Sequence, residues 1–239
     1  VKGQNIILLF ASYFFYGYWD VRLLCLLIVC TGISYIVVLK IDACTEHAVR
    51  KKYMLIGVLA VLGILAFFKY YNFFVGSLNN LAISFGFKNS ITLLNLIVPV
   101  GLSFYIFQLL SYILDVYRGE QQAIRDPIII ALYAAFFPTL LSGPIERSRH
   151  LIPQIEKPRS INANSLHSGT FLILTGLFKK FIIADFLALR VNEIFAQPEG
   201  QAAGVLLEGV YLFTAQIYLD FSGYTDIVRG SAILLGFEI

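Results

Sequence analysis

Residues 23–39 read LLCLLIVCTGISYIVVL, an unbroken apolar run without a charged side chain. A helix crosses the hydrocarbon layer of a bilayer with about 20 apolar residues, so this stretch predicts a membrane-spanning helix. The pattern recurs along the chain. Asn5 to Trp19 is a shorter apolar run and Tyr53 to Val75 a full-length one, with Lys69 near its end where it can snorkel. Pro99 to Tyr117 is apolar but carries Gln108, Ser111 and Asp115. Pro127 to Leu141 is too short for a simple crossing. His167 to Leu189 contains Lys179, Lys180 and Asp185, and Val205 to Phe237 is long with a polar second half. The fold class expected is all-α, a polytopic transmembrane helical protein forming a single domain over residues 1–239.

Composition agrees. The chain has 239 residues, 58% hydrophobic and only 14% charged, against roughly 25% charged in soluble domains. A net charge of +3 without a basic stripe argues against nucleic acid as a partner and leaves the lipid bilayer. Cys25, Cys30 and Cys44 are scattered, so neither a disulfide framework nor a zinc site is indicated. The start at Val1 and the end at Gly236–Ile239, both within or beside apolar runs, read as a piece cut at both ends.

Basic loops set orientation. Lys40–Lys52 (KIDACTEHAVRKK) and 146–160 (ERSRHLIPQIEKPRS) hold four Lys/Arg each, and 117–126 (YRGEQQAIRD) holds two. The loops near Asp20 and over 77–95 hold one each. The three basic loops are therefore expected on the cytoplasmic side. Loops 117–126 and 146–160 flank one short apolar stretch, and a single crossing would separate them. Pro138 and Ser142-Gly143-Pro144 also oppose a straight helix. The segment near 127–145 is therefore predicted to be re-entrant, which requires burial in protein or a wet cavity.

Charge at membrane depth is costly and marks function. The densest case is QIYLDFSGYTD at 216–226, followed by Arg229. On a helix, Gln216, Asp220, Gly223, Asp226 and Arg229 share one face. Gly223 leaves room for another backbone or a substrate. A plain alternative is an Asp226–Arg229 ion pair with Ser222 as a cap. Lys179-Lys180 forms a second case. Adjacent residues on an α-helix point about 100° apart, so the two should not face one partner. They read either as snorkelling ends or as a cationic patch for a phosphate or a thioester carrier. Asp115-Val116-Tyr117-Arg118-Gly119 reads as a helix end with Gly119 as its cap. His47, His150 and His167 lie in loops or at helix starts, and none sits in an apolar segment beside a carboxylate.

Taken together, these stretches resemble the membrane-bound O-acyltransferases, in particular the alginate O-acetyltransferase branch. The resemblance runs through PVGLSFYIFQ at 99–108 with SYILDVYRG at 111–119. It continues in Phe136-Phe137-Pro138 with Ser142-Gly143-Pro144-Ile145 and Leu151–Gln154, then GLFKK at 176–180 with Ile183-Ala184-Asp185, then 216–227. It implies transfer of an acyl group, such as acetyl from acetyl-CoA or another acyl thioester, towards hydroxyls of an exported polysaccharide such as alginate. No bound cofactor is implied. The setting would be multi-pass in the inner membrane of a bacterium, with periplasmic or extracellular acetylation proteins of the cell envelope as partners. Gln216, Tyr218, Asp220, Ser222, Tyr224, Asp226, Lys179, Lys180, Gly143 and Pro144 would line or support the cavity. The family's catalytic histidine, preceded by Trp, has no counterpart here and is expected beyond Ile239, so residues 1–239 alone are expected to be inactive. A transporter or channel, or a non-catalytic export scaffold, is the other class of reading for embedded charge and re-entrant backbone.

Overall fold

The computed structural model describes residues 1–85, 93, 94, 96 and 98–239, with Trp19 described by its backbone. Among the described residues the regular structure is helical, and the chain divides into two compact units, Val1–Lys157 and Pro158–Ile239.

Unit 1 begins with α1 (Lys2–Trp19), α2 (Val21–Ala43) and α3 (His47–Ser84). Among the described residues α2 and α3 are long and apolar enough to cross a membrane. At 1.5 Å per residue α3 is about 57 Å long, well beyond the hydrocarbon thickness. Together α2 and α3 take up most of the expected Lys40–Lys52 loop, leaving residues 44–46 between them, and α3 also takes the first part of the expected loop over 77–95. Residues 86–92, 95 and 97 lie outside the described residues.

The next helix, α4 (Leu102–Arg118), is bounded by two left-handed glycines, Gly101 and Gly119, both at φ 76°. Gly119 is the cap expected from the sequence. Gly101 has a second constraint, because a Cβ there would collide with the carbonyl oxygen of Leu140. Helix α4 packs against both α2 and α3 and is buried over most of its length.

The stretch expected to be re-entrant is broken into pieces. Asp126 accepts from the Ile128 N–H at 2.9 Å and Pro127 opens α5 (Pro127–Ala135). Phe136 leaves helical geometry, and Pro138 sits in the first turn of α6 (Phe137–Leu140). An irregular return through 141–147 leads to α7 (Ser148–Glu156). The path comes back to where it began. Glu120 and Arg149 form a salt bridge at 3.0 Å, and Asp126 and Glu156 line one recess with Lys2. The third basic loop joins them. Arg50 donates to the last carbonyls of α4, Val116 and Tyr117, at 3.3 Å each, and His47 meets the Tyr117 hydroxyl at 3.2 Å. The three basic loops thus lie at one end of this unit.

Unit 2 is a helical hairpin. Helix α8 (Ala163–Leu177) runs without a break through a π-helical segment, Phe178–Ala184, into α9 (Asp185–Ala196). Helix α10 (Ala203–Leu234) returns antiparallel along them. Their backbones meet at glycines. A Cβ on Gly223 would stand 2.7 Å from the Gly176 carbonyl oxygen, and one on Gly230 2.6 Å from that of Gly169. Small residues of this kind let two helices approach closely.

Candidate active site

The polar residues of α10 are organised by the opposite strand of the hairpin. Lys179 Nζ donates to Asp226 Oδ2 at 2.6 Å and to Ser222 Oγ at 3.0 Å. Lys180 Nζ forms a salt bridge with Asp220. Adjacent residues on a regular α-helix would diverge by about 100°, yet here both lysines address α10. The wider π turn that carries them rotates less per residue and keeps both on one side; such turns recur at functional sites. The order of the pairs follows from antiparallel packing: the later lysine meets the earlier aspartate. Asp220 and Asp226 lie about 9 Å apart along the axis, so the long lysine side chains splay to reach them. The lysines face one helix, though not one carboxylate, and the four charges cancel. A bare cationic patch is therefore not what the fold presents.

Two expectations about this helix are corrected. Asp226 is not paired with Arg229, whose Nε donates to the Ile239 carbonyl oxygen at 2.9 Å. Ser222 is not a cap; it lies inside α10 and receives the Lys179 ammonium. Gly223 is occupied from outside as the sequence allowed, by backbone rather than by an open space. Gln216 Oε1 is buried without a hydrogen-bond partner among the described residues. Tyr218 is 70% exposed and Tyr224 half-buried, and neither hydrogen-bonds to the ion pairs.

Gly143 and Pro144 belong to unit 1. Gly143 N–H donates to the Thr139 carbonyl at 3.2 Å, and a Cβ on it would sit 2.6 Å from Thr139 Cα. This glycine permits the tight return after α6. Around that return the sequence hid a second polar constellation. Gln108 Nε2 donates to the Tyr133 carbonyl at 2.8 Å, while the Tyr133 hydroxyl lies 3.1 Å from the Gln108 carbonyl and 3.0 Å from that of Glu146. Ser148 Oγ donates to Asp115 Oδ2 at 2.8 Å, and both residues are buried. The polar positions 108, 111 and 115 signalled one helix face, but their partners Tyr133 and Ser148 had no signal of their own.

The histidines stand where solvent reaches them. His150 Nδ1 is 2.7 Å from Glu146 Oε2 on an exposed turn, and His167 is exposed on α8. No group of three or more His, Cys, Asp or Glu side chains fit to hold a metal occurs among the described residues.

No family model matches the chain. Individual proteins do. It is 39% identical over 99% of its length to the probable alginate O-acetylase AlgI of Pseudomonas putida, covering 48% of that protein. The likeness supports the resemblance to membrane-bound O-acyltransferases. Similarity extends to the peptidoglycan O-acetyltransferase of Helicobacter pylori, at 29% identity over 97% of the chain and 48% of the relative. It reaches the teichoic acid D-alanyltransferase of Bacillus subtilis at 28% over 60% of the chain and 37% of the relative. The chain spans about half the length of the alginate O-acetylases it matches. These residues contain the two structural elements described above: a glycine-welded hairpin with partly buried ion pairs, and a broken, returning segment.

Proposed function

We propose that the protein to which these residues belong is an O-acetyltransferase of a bacterial inner membrane, multi-pass, acting on hydroxyls of an exported polysaccharide. The observation that carries this reading is the 39% identity to an alginate O-acetylase across nearly the whole chain. The donor is an acyl thioester such as acetyl-CoA, presented at the basic, cytoplasmic end, and envelope acetylation proteins act beside it. The acceptor hydroxyl attacks the thioester carbonyl carbon as its proton passes to a general base, the carbon–sulfur bond breaks, and the leaving thiolate takes a proton back to depart as the thiol. A histidine with a pKa near 6.5 suits that base. By family resemblance it is a Trp-preceded histidine, a role to which His47, His150 and His167 do not correspond. Gln216, Asp220, Ser222, Tyr224 and Asp226 brace or line the site, Lys179 and Lys180 complete its wall, and both units serve a single acyl-transfer domain.

The test uses the full-length protein in membrane vesicles with acetyl-CoA labelled in its acyl group. Label should pass to the polysaccharide, and Asp226→Asn should lower transfer by about tenfold or more at unchanged expression. Absence of transfer by the wild-type protein would refute the reading, and full activity of the variant would refute the role of Asp226.

A further inference from the structure

The two ion pairs of unit 2 differ in how completely they are used. An ammonium has three donors. Lys179 spends two of them, on Ser222 and Asp226, and the Asp226 side chain is only 15% exposed. Lys180 spends one, on Asp220 Oδ1. Its other two hydrogens, and the second oxygen of Asp220, have no partner among the described residues. The Asp220 side chain is 49% exposed, against 33% for Lys180. One turn earlier on the same face, Gln216 Oε1 is buried with no partner among the described residues. The surrounding helices are held at fixed spacing by the Gly176–Gly223 contact, so the open pair sits on a rigid support.

The charge balance selects what can bind there. An anion drawn to Lys180 meets the Asp220 carboxylate beside it, and the four charges of the ladder sum to zero. A phosphate or a carboxylate gains little. An uncharged oxygen group gains more, because a carbonyl can accept from the ammonium and a hydroxyl can also donate to the carboxylate. Polar groups left open at membrane depth are costly unless met by protein, water or substrate.

We propose that Lys180 and Asp220 contact the substrate, as a neutral donor–acceptor pair for an uncharged oxygen group: the acyl carbonyl of the donor or the hydroxyl of the acceptor. Lys179, Asp226 and Ser222 form the closed pair that holds the π segment against α10. This inference rests on the O-acyl transfer reading.

The experiment measures transfer from labelled acetyl-CoA by the full-length protein in vesicles, for wild type, Lys180→Met, Asp220→Asn and the double variant Lys180→Met/Asp220→Leu. Each should lose about tenfold or more in kcat/KM while its melting temperature in detergent stays near that of wild type. Asp220→Asn keeps the side-chain shape and serves where a Lys180 variant fails to fold. A rise in KM confined to acetyl-CoA assigns the acyl carbonyl; one confined to the polysaccharide assigns the hydroxyl. The proposal is overturned if the double variant transfers within about twofold of wild type, or if inorganic phosphate competes with donor in wild type but not in Lys180→Met, which would make Lys180 an anion site. Wild-type activity with unaffected variants removes this inference alone, whereas an inactive wild type removes the transfer reading with it.

Discussion

The two units bury polarity in opposite ways. In unit 1 the embedded polar side chains of α4 are met chiefly by neutral groups: Gln108 by a main-chain carbonyl of α5, Asp115 by the hydroxyl of Ser148. In unit 2 the partly buried charges meet one another, lysine to aspartate across two nearly continuous helices. The difference follows from backbone continuity. A segment broken at Phe136 and again after Leu140 exposes peptide groups that must find partners, so it offers main-chain acceptors to neighbouring side chains. The hairpin of α8, the π segment and α10 satisfies its own backbone, and only side chains remain to neutralise charge.

That contrast makes an energetic prediction. Breaking a partly buried ion pair leaves its partner uncompensated, whereas removing both members can be nearly neutral. Lys179→Met should therefore destabilise the protein by about 3 kcal/mol, read as a lowered melting temperature in detergent, and Lys179→Met/Asp226→Leu should regain most of it. A double variant as unstable as the single one would show that the pair is not an isolated charge couple.

A smaller loss is expected in unit 1. Ser148→Ala removes the hydroxyl that meets the buried Asp115 carboxylate and should cost about 2 kcal/mol, measured in the same way. An unchanged melting temperature for Ser148→Ala would mean that water replaces the hydroxyl and that the two units differ less than their contacts suggest.

The smallest effect belongs to the exposed cap between α1 and α2. Asp20 accepts from the Arg22 N–H at 2.8 Å and pairs with its guanidinium at 2.7 Å, which holds the carboxyl below its ordinary range. A carboxylate with a depressed folded-state pKa contributes stability above its unfolded value and loses it as pH falls through the folded one. Asp20→Asn should thus differ from wild type slightly near neutrality and not at all in strong acid, by thermal melting across pH. A difference that persists in strong acid would place the contribution in the cap's shape rather than its charge.

Much of this was legible in the sequence. The apolar run 23–39 announced a long helix, and α2 covers it. Gly119 after Arg118 announced the end of α4, because a left-handed cap is a local property of the backbone. The clash between two basic loops and one short apolar stretch announced a returning path, and Pro138 with Gly143 showed where it would bend. The embedded polar residues 216–226 were visible for the same reason: charge in an apolar run is conspicuous without any knowledge of its partner.

Partners were another matter. Periodicity places a side chain on a face but says nothing about what stands opposite, so the sequence suggested Arg229 for Asp226 while the fold supplies Lys179, 47 residues earlier. Adjacent lysines look divergent only while the helix is taken as regular, and the π segment that reconciles them has no one-residue signature. The sequence by itself determined that this chain is helical, apolar and punctuated by embedded charge, since those are properties of residue type and local order. Only the tertiary structure decided that the charge is neutralised in pairs, and that one pair is closed while the other stays open, because pairing depends on which helices the glycines allow to touch.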